Sequence, residues 1–151
     1  MAIAACNPPA PAANIAAPAE AVDQGGQTGL ERVPLTIHSA NGDHRFTVEI
    51  AASPQQQQMG LMFRRALTPD GGMIFPYVAE QQVAFWMKNT LIPLDLIFIR
   101  GDGRIARIAE NAQPMSLDLI HSGEPVAAVL EIAGGRSVEL GIKAGDTVDW
   151  R

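Results

Sequence analysis

The sequence predicts a mainly β domain, a compact β-barrel or sandwich with one short helix. Apolar and polar residues alternate over several short runs between positions 33 and 151. Glycine and proline, 14 and 11 in number, break those runs at close intervals. One stretch alone, beginning at Ser53-Pro54, carries a helix start signal. A chain of 151 residues, 47% apolar and 18% charged, suits one globular domain with its own core.

The first strand is VPLTIH, 33–38. Asn41-Gly42 is a favoured two-residue turn and HRFTVEIA, 44–51, alternates Phe46, Val48 and Ile50 with polar partners, so a hairpin is expected. Such a turn sets His44 opposite Ser39 and His38 opposite Arg45, which sends the two imidazoles to opposite faces. Ser53 is a candidate N-cap with Pro54 at the first helical position. The helix QQQQMGLMFR then turns its glutamines to water and Met59, Met62 and Phe63 inward. Gly60 is either its C-cap or a point of close backbone approach, and Thr68-Pro69-Asp70-Gly71-Gly72 is a turn. Short strands are expected at 73–77, 82–88, 94–100, 104–109, 125–132 and 147–150, with Gly101-Asp102-Gly103 as a tight hairpin and 143–146 as a turn.

Ahead of the domain, residues 1–32 read as a signal-peptide remnant and tether. Ile3-Ala4-Ala5-Cys6 is similar to a bacterial lipobox, which makes Cys6 a candidate for lipidation. The Ala- and Pro-rich stretch after it has no hydrophobic period and is expected to be disordered. This predicts an exported protein, periplasmic or membrane-anchored through a lipid, with 33–151 as a single β-rich domain. No apolar run reaches the roughly 18 residues of a spanning helix.

Three stretches, GLMFRRAL (60–67), GMIFPY (72–77) and FWMKNTLIPLDLIFI (85–99), with weaker echoes in VLEIAGG and GIKAGDTV, carry a resemblance to the family called domain of unknown function 192. It spans 48–148. The resemblance implies a compact, mainly β, often exported protein of unestablished activity. It singles out Arg64, Phe85, Trp86, Met87, Lys88, Asn89, Thr90, Asp95 and Glu131.

FWMKNTLIPLD poses the chemical question, because polar residues interrupt an apolar stretch. On a strand, Trp86 and Lys88 share a face opposite Phe85 and Met87. Asp95 alternates with Ile97 and Ile99 on a strand apolar on both faces, so it is expected to be at least partly buried and to need donors. Lys88, Arg64, Asn89 and Thr90 are the candidate donors. In one reading Asp95 pins the strand connection through the Asn89-Thr90 loop while Lys88 pairs with Asp95 or Glu131. In the other, Trp86, Lys88 and Arg64 line a groove for a small polar or anionic ligand.

Several classes are disfavoured. A net charge of −5 with no basic stripe argues against a nucleic-acid partner. The single cysteine, scattered histidines and lack of a nucleophile elbow point away from covalent catalysis and from a metal site. Most methionines are assigned to the core. No cofactor is implied. The sequence thus favours a non-catalytic cell-envelope binding module with Arg64, Trp86, Lys88, Asn89, Thr90, Asp95 and Glu131 as candidate site residues. The alternatives are a small enzyme using Lys88 and Asp95 for acid/base chemistry and a structural partner of another envelope protein.

Overall fold

A computed structural model describes residues 25–151. Its elements run β1 (Arg32–Ser39), β2 (Gly42–Ile50), α1 (Pro54–Met59), β3 (Gly71–Gln81), β4 (Ala84–Phe85), β5 (Leu94–Ile99), β6 (Ile105–Ala112), β7 (Ile120–His121), β8 (Val126–Ala133), α2 (Arg136–Leu140) and β9 (Thr147–Asp149). Seven strands form one sheet in the order β6-β5-β8-β3-β2-β1-β9, and β4 pairs with β7 as a separate ribbon. Most pairs are antiparallel; β2 and β3 run parallel, joined through α1. The sheet is not closed into a barrel, although the Arg104–Thr147 bridge and backbone hydrogen bonds between residues 103–105 and 145–148 bring its two ends into contact. The mainly β expectation holds in its sandwich form, with two short helices rather than one.

The central strands explain the stability of this arrangement. All six residues of β5 and seven of eight in β8 are buried, because both faces of the sheet are covered. One face supplies a core of Ile37, Val48, Ile97, Leu130 and Ile132 among others. The opposite face carries Leu61, Met73, Phe75, Met87, Leu96, Phe98 and Val129. Burying a large aliphatic or aromatic side chain contributes about 1.5–3 kcal/mol, so these two clusters are the main stabilising term.

Several local expectations change. The hairpin register pairs Ser39 with Gly42 and His38 with Asp43, so the turn residues are Ala40 and Asn41. Gly42, at φ 113°, opens β2 instead of completing the turn, and His38 Nδ1 lies 2.6 Å from Asp43. The expected strand over 82–88 shrinks to Ala84–Phe85, while β3 runs on to Gln81. Helix α1 stops at Met59 because Gly60, at φ 48°, caps it by donating its N–H to Gln56. Met59 and Phe63, expected inside, are exposed, and Phe63 itself adopts φ 67°. Nor are all the glutamines idle on a wet face. Gln56 completes a capping box with Ser53, and Gln57 donates to the carbonyls of Ala51 and Pro76.

The segment before β1 also differs from its assignment. Within residues 25–31, Gln27 donates its amide to the carbonyls of Gln56 and Gly60 and accepts from Arg64, so this part of the tether is fastened to the domain. Cys6 and the rest of the tether lie outside the described residues.

Candidate functional site

A cleft of about 380 Å³ opens on the face of the sheet that carries the second core. Its walls come from three elements: α1 and the residues after it, the outer half of β3, and the segment that follows β4. Phe75 and Tyr77 of β3, with Phe85 and Trp86 of the β4 segment, give it four aromatic residues. Phe85 is held edge-on between Phe75 and Phe98, with centroids 5.2 and 6.4 Å away. Gly60 belongs to the wall because a side chain there would press on the Phe75 ring, whose nearest atom is 3.3 Å from an added Cβ.

Glu131 is the one carboxyl residue in the lining. It sits in β8 with Met73 of β3 on one side and Leu96 of β5 on the other. The residue is only 5% exposed, and no hydrogen bond or ion pair to its carboxyl is present among the described residues. Removal from water penalises the charged form, so its pKa is pushed up from 4.5 to about 8. Tyr77 is raised as well, first by its own burial and then by the Glu131 charge nearby. At neutral pH the cleft floor therefore presents a neutral carboxylic acid, able to donate through O–H and accept through C=O.

Trp86 and Lys88 form the rim. Both are exposed, and the Lys88 ammonium lies 5.1 Å from the Trp86 ring centroid. Between and after them, Met87 is buried and Thr90 lines the cleft. The backbone here is tied on both sides. Met87 N–H donates to Ser116, Met115 N–H to Thr90 and Phe63 N–H to Asn89. Asn89 contributes a backbone turn at φ 53°, a conformation asparagine tolerates. Burial alternates as expected for Trp86, Met87 and Lys88, whereas Phe85 lines the same cleft as Trp86 because the strand is irregular.

The remaining candidates are elsewhere. Asp95 is fully buried and accepts three backbone N–H groups, from Asn111 at 2.7 Å, Gly135 at 2.9 Å and Ser137 at 2.8 Å. It ties β5 to the end of β6 and to the start of α2. The donors proposed from sequence, Lys88, Arg64, Asn89 and Thr90, do not serve it, because Asp95 points to the opposite face of the sheet. No ion pair joins Lys88 to Asp95 or to Glu131 among the described residues. Arg64 is buried in a bidentate pair with Glu49 of β2 and donates 2.8 Å to the Gln27 carbonyl. Of the seven candidates, Trp86, Thr90 and Glu131 line the cleft, Lys88 lies beside Trp86, Asn89 turns the chain just before Thr90 without lining the cleft, and Arg64 and Asp95 hold the fold. Phe75, Tyr77 and Phe85 were not among the candidates; aromatic residues flanking the cleft in GMIFPY and AFW were the available signal.

Among the described residues no group of three metal-ligating side chains exists and no helix is long and apolar enough to cross a membrane. No curated protein matches the chain. Several solved structures are similar, among them the following two. One, from Sinorhizobium meliloti 1021 and named as a candidate transcription regulator, is 43% identical, with a TM-score of 0.79 over 83% of this chain and 98% of that one. The other, a protein of unknown function from Novosphingobium aromaticivorans DSM 12444, is 45% identical, with a TM-score of 0.80 over 82% of this chain and 88% of that one. The model of domain of unknown function 192, described as "Uncharacterized ACR", matches residues 36–150. The chain belongs to the domain of unknown function 192 family.

Proposed function

We propose that this protein is a non-catalytic binding module that takes a small polar or anionic ligand into the Glu131 cleft. One observation carries the proposal: the carboxyl of a residue only 5% exposed, with no protein partner among the described residues, opens onto a cavity lined in part by aromatic residues. A buried polar group left unpaired costs about 1–3 kcal/mol, and a fold concerned only with stability has an apolar residue at such a place. A ligand that pairs with Glu131 recovers that cost. The volume lies at the small end of the range for small-molecule sites.

Catalysis through Lys88 and Asp95 is disfavoured by their separate surroundings, one at the rim and one satisfied by backbone. Arg64, Arg100, Arg104 and Arg136 are each committed to a carboxylate, which with the net charge of −5 weighs against a nucleic-acid partner. Exposed Leu91, Met115, Leu117 and Leu119 lie in the segments beside the rim and would suit a protein partner, but they do not account for the cleft. Export and a lipid on Cys6 complete the proposal, supported by the lipobox-like start; fatty-acid labelling that survives Cys6→Ala would remove that part.

The test of binding is a fragment screen read by the Trp86 indole N–H resonance. Ligands are expected to shift it in the parent protein and to leave it unmoved after Tyr77→Ala. Hits that move only residues outside the cleft would refute the assignment.

A further inference from the structure

We infer that the ligand is a small planar organic anion with an uncharged hydrogen-bond acceptor at the end opposite its charge, inserted acceptor-first so that Glu131 donates to it while Lys88 meets the anion. This inference rests on the binding proposal and specifies its chemistry. Three placements support it. Glu131 is at the floor, more than nine-tenths buried and unpartnered, and a neutral carboxyl there has a proton to give. Phe75, Tyr77, Phe85 and Trp86 form the walls, which favour a flat body. Lys88 is exposed and stands over Trp86, a lining residue, so it draws negative charge to the solvent side of the cleft rather than to Glu131.

The elements around Glu131 leave it as the group that titrates. β3 presents Tyr77, whose pKa is raised, and the uncharged Met73; β5 presents Leu96, with Asp95 turned to the other face. The α1 side brings Gln57, Gln58 and Met59, and Lys88 stands over Trp86 outside the lining. An anion bound floor-first would sit against a carboxyl that becomes negative as pH rises, with no cation beside it. The opposite orientation avoids that repulsion.

The order predicts a pH dependence. With Glu131 raised to about 8, most of it is protonated at pH 7 and about a tenth at pH 9. A ligand that needs the proton therefore binds about tenfold more weakly at pH 9. The probes are 4-acetylbenzoate, which has both ends, 4-acetylbenzamide, which lacks the charge, and 4-ethylbenzoate, which lacks the acceptor. Affinities are measured at pH 7 and 9 from the Trp86 indole resonance, for the parent protein, Glu131→Gln and Lys88→Met.

The expected result is tightest binding of 4-acetylbenzoate, with a tenfold loss at pH 9 that Glu131→Gln abolishes while keeping affinity within a few-fold. Lys88→Met is expected to weaken 4-acetylbenzoate severalfold and leave 4-acetylbenzamide unchanged. If the probes bind but 4-ethylbenzoate equals 4-acetylbenzoate, or the pH dependence survives Glu131→Gln, the ligand chemistry is overturned and the binding proposal stands. If no probe enters the cleft, both fall.

Discussion

Replacing Glu131 by glutamine should stabilise this protein, and more so as the pH rises. In the folded state the carboxyl has a pKa near 8, against 4.5 for the ordinary group. Between those values the unfolded chain releases a proton that the folded protein retains. The folded state then binds more protons than the unfolded state, so stability falls with increasing pH. The loss attributable to Glu131 begins above about 4.5, accumulates through 8 and is constant beyond. Each tenfold difference in proton affinity between the two states is about 1.4 kcal/mol, so the full loss is on the order of 5 kcal/mol. That is an upper figure, since a charged Glu131 draws water into the cleft and relaxes its surroundings. Glutamine keeps the shape and cannot ionise. Urea unfolding of both proteins at half-unit steps from pH 5 to 9 isolates the contribution as the difference between the two curves. That difference should grow by several kcal/mol across the range. Parallel curves would refute the claim that an unpaired carboxyl lies buried here.

Other substitutions probe the supports of the cleft. Asp95→Ala leaves three backbone N–H groups, that of the buried Ser137 among them, without their acceptor and should destabilise by about 3 kcal/mol, measured by chemical denaturation. Arg64→Met strands the Glu49 carboxylate and should cost about 3–5 kcal/mol, whereas Arg64→Met with Glu49→Leu should recover much of it. Gly72→Ala drives a methyl onto the Glu131 backbone carbonyl and to 3.1 Å from Ile132, which should lower stability by about 1–3 kcal/mol in thermal unfolding. Trp86→Ala, at a half-exposed rim position, should change stability by under about 1 kcal/mol in the same assay while abolishing ligand affinity measured by calorimetry.

Local patterns carried much of the fold. HRFTVEI alternates because β2 has a distinct face in the first core, and PVAAVLEI is nearly continuous because β8 is buried on both sides. The burial of Asp95 was legible from the apolar residues on either side of it. Its donors were not, since Asn111, Gly135 and Ser137 stand 16 to 42 positions away and act through backbone N–H groups common to nearly every residue. The same holds for Arg64, which reads as a loose cation in sequence and becomes a buried partner of Glu49 only through the β2–β3 crossover. The β4 segment loses its strand to the turn at Asn89, yet the in-out order of Trp86, Met87 and Lys88 persists. Glu131 was marked in the sequence as the only charge in an otherwise apolar strand. What no local pattern states is that α1 and the rim leave the cavity beside it open.

The most direct measurement is the titration of the Glu131 side-chain carboxyl by carbon NMR, assigned through Glu131→Gln. A midpoint near 8 is predicted, moving higher when an acceptor-bearing ligand holds the proton in place. A midpoint near 4.5 would mean a solvated carboxylate, and the account of a protonated, ligand-receiving floor would be wrong.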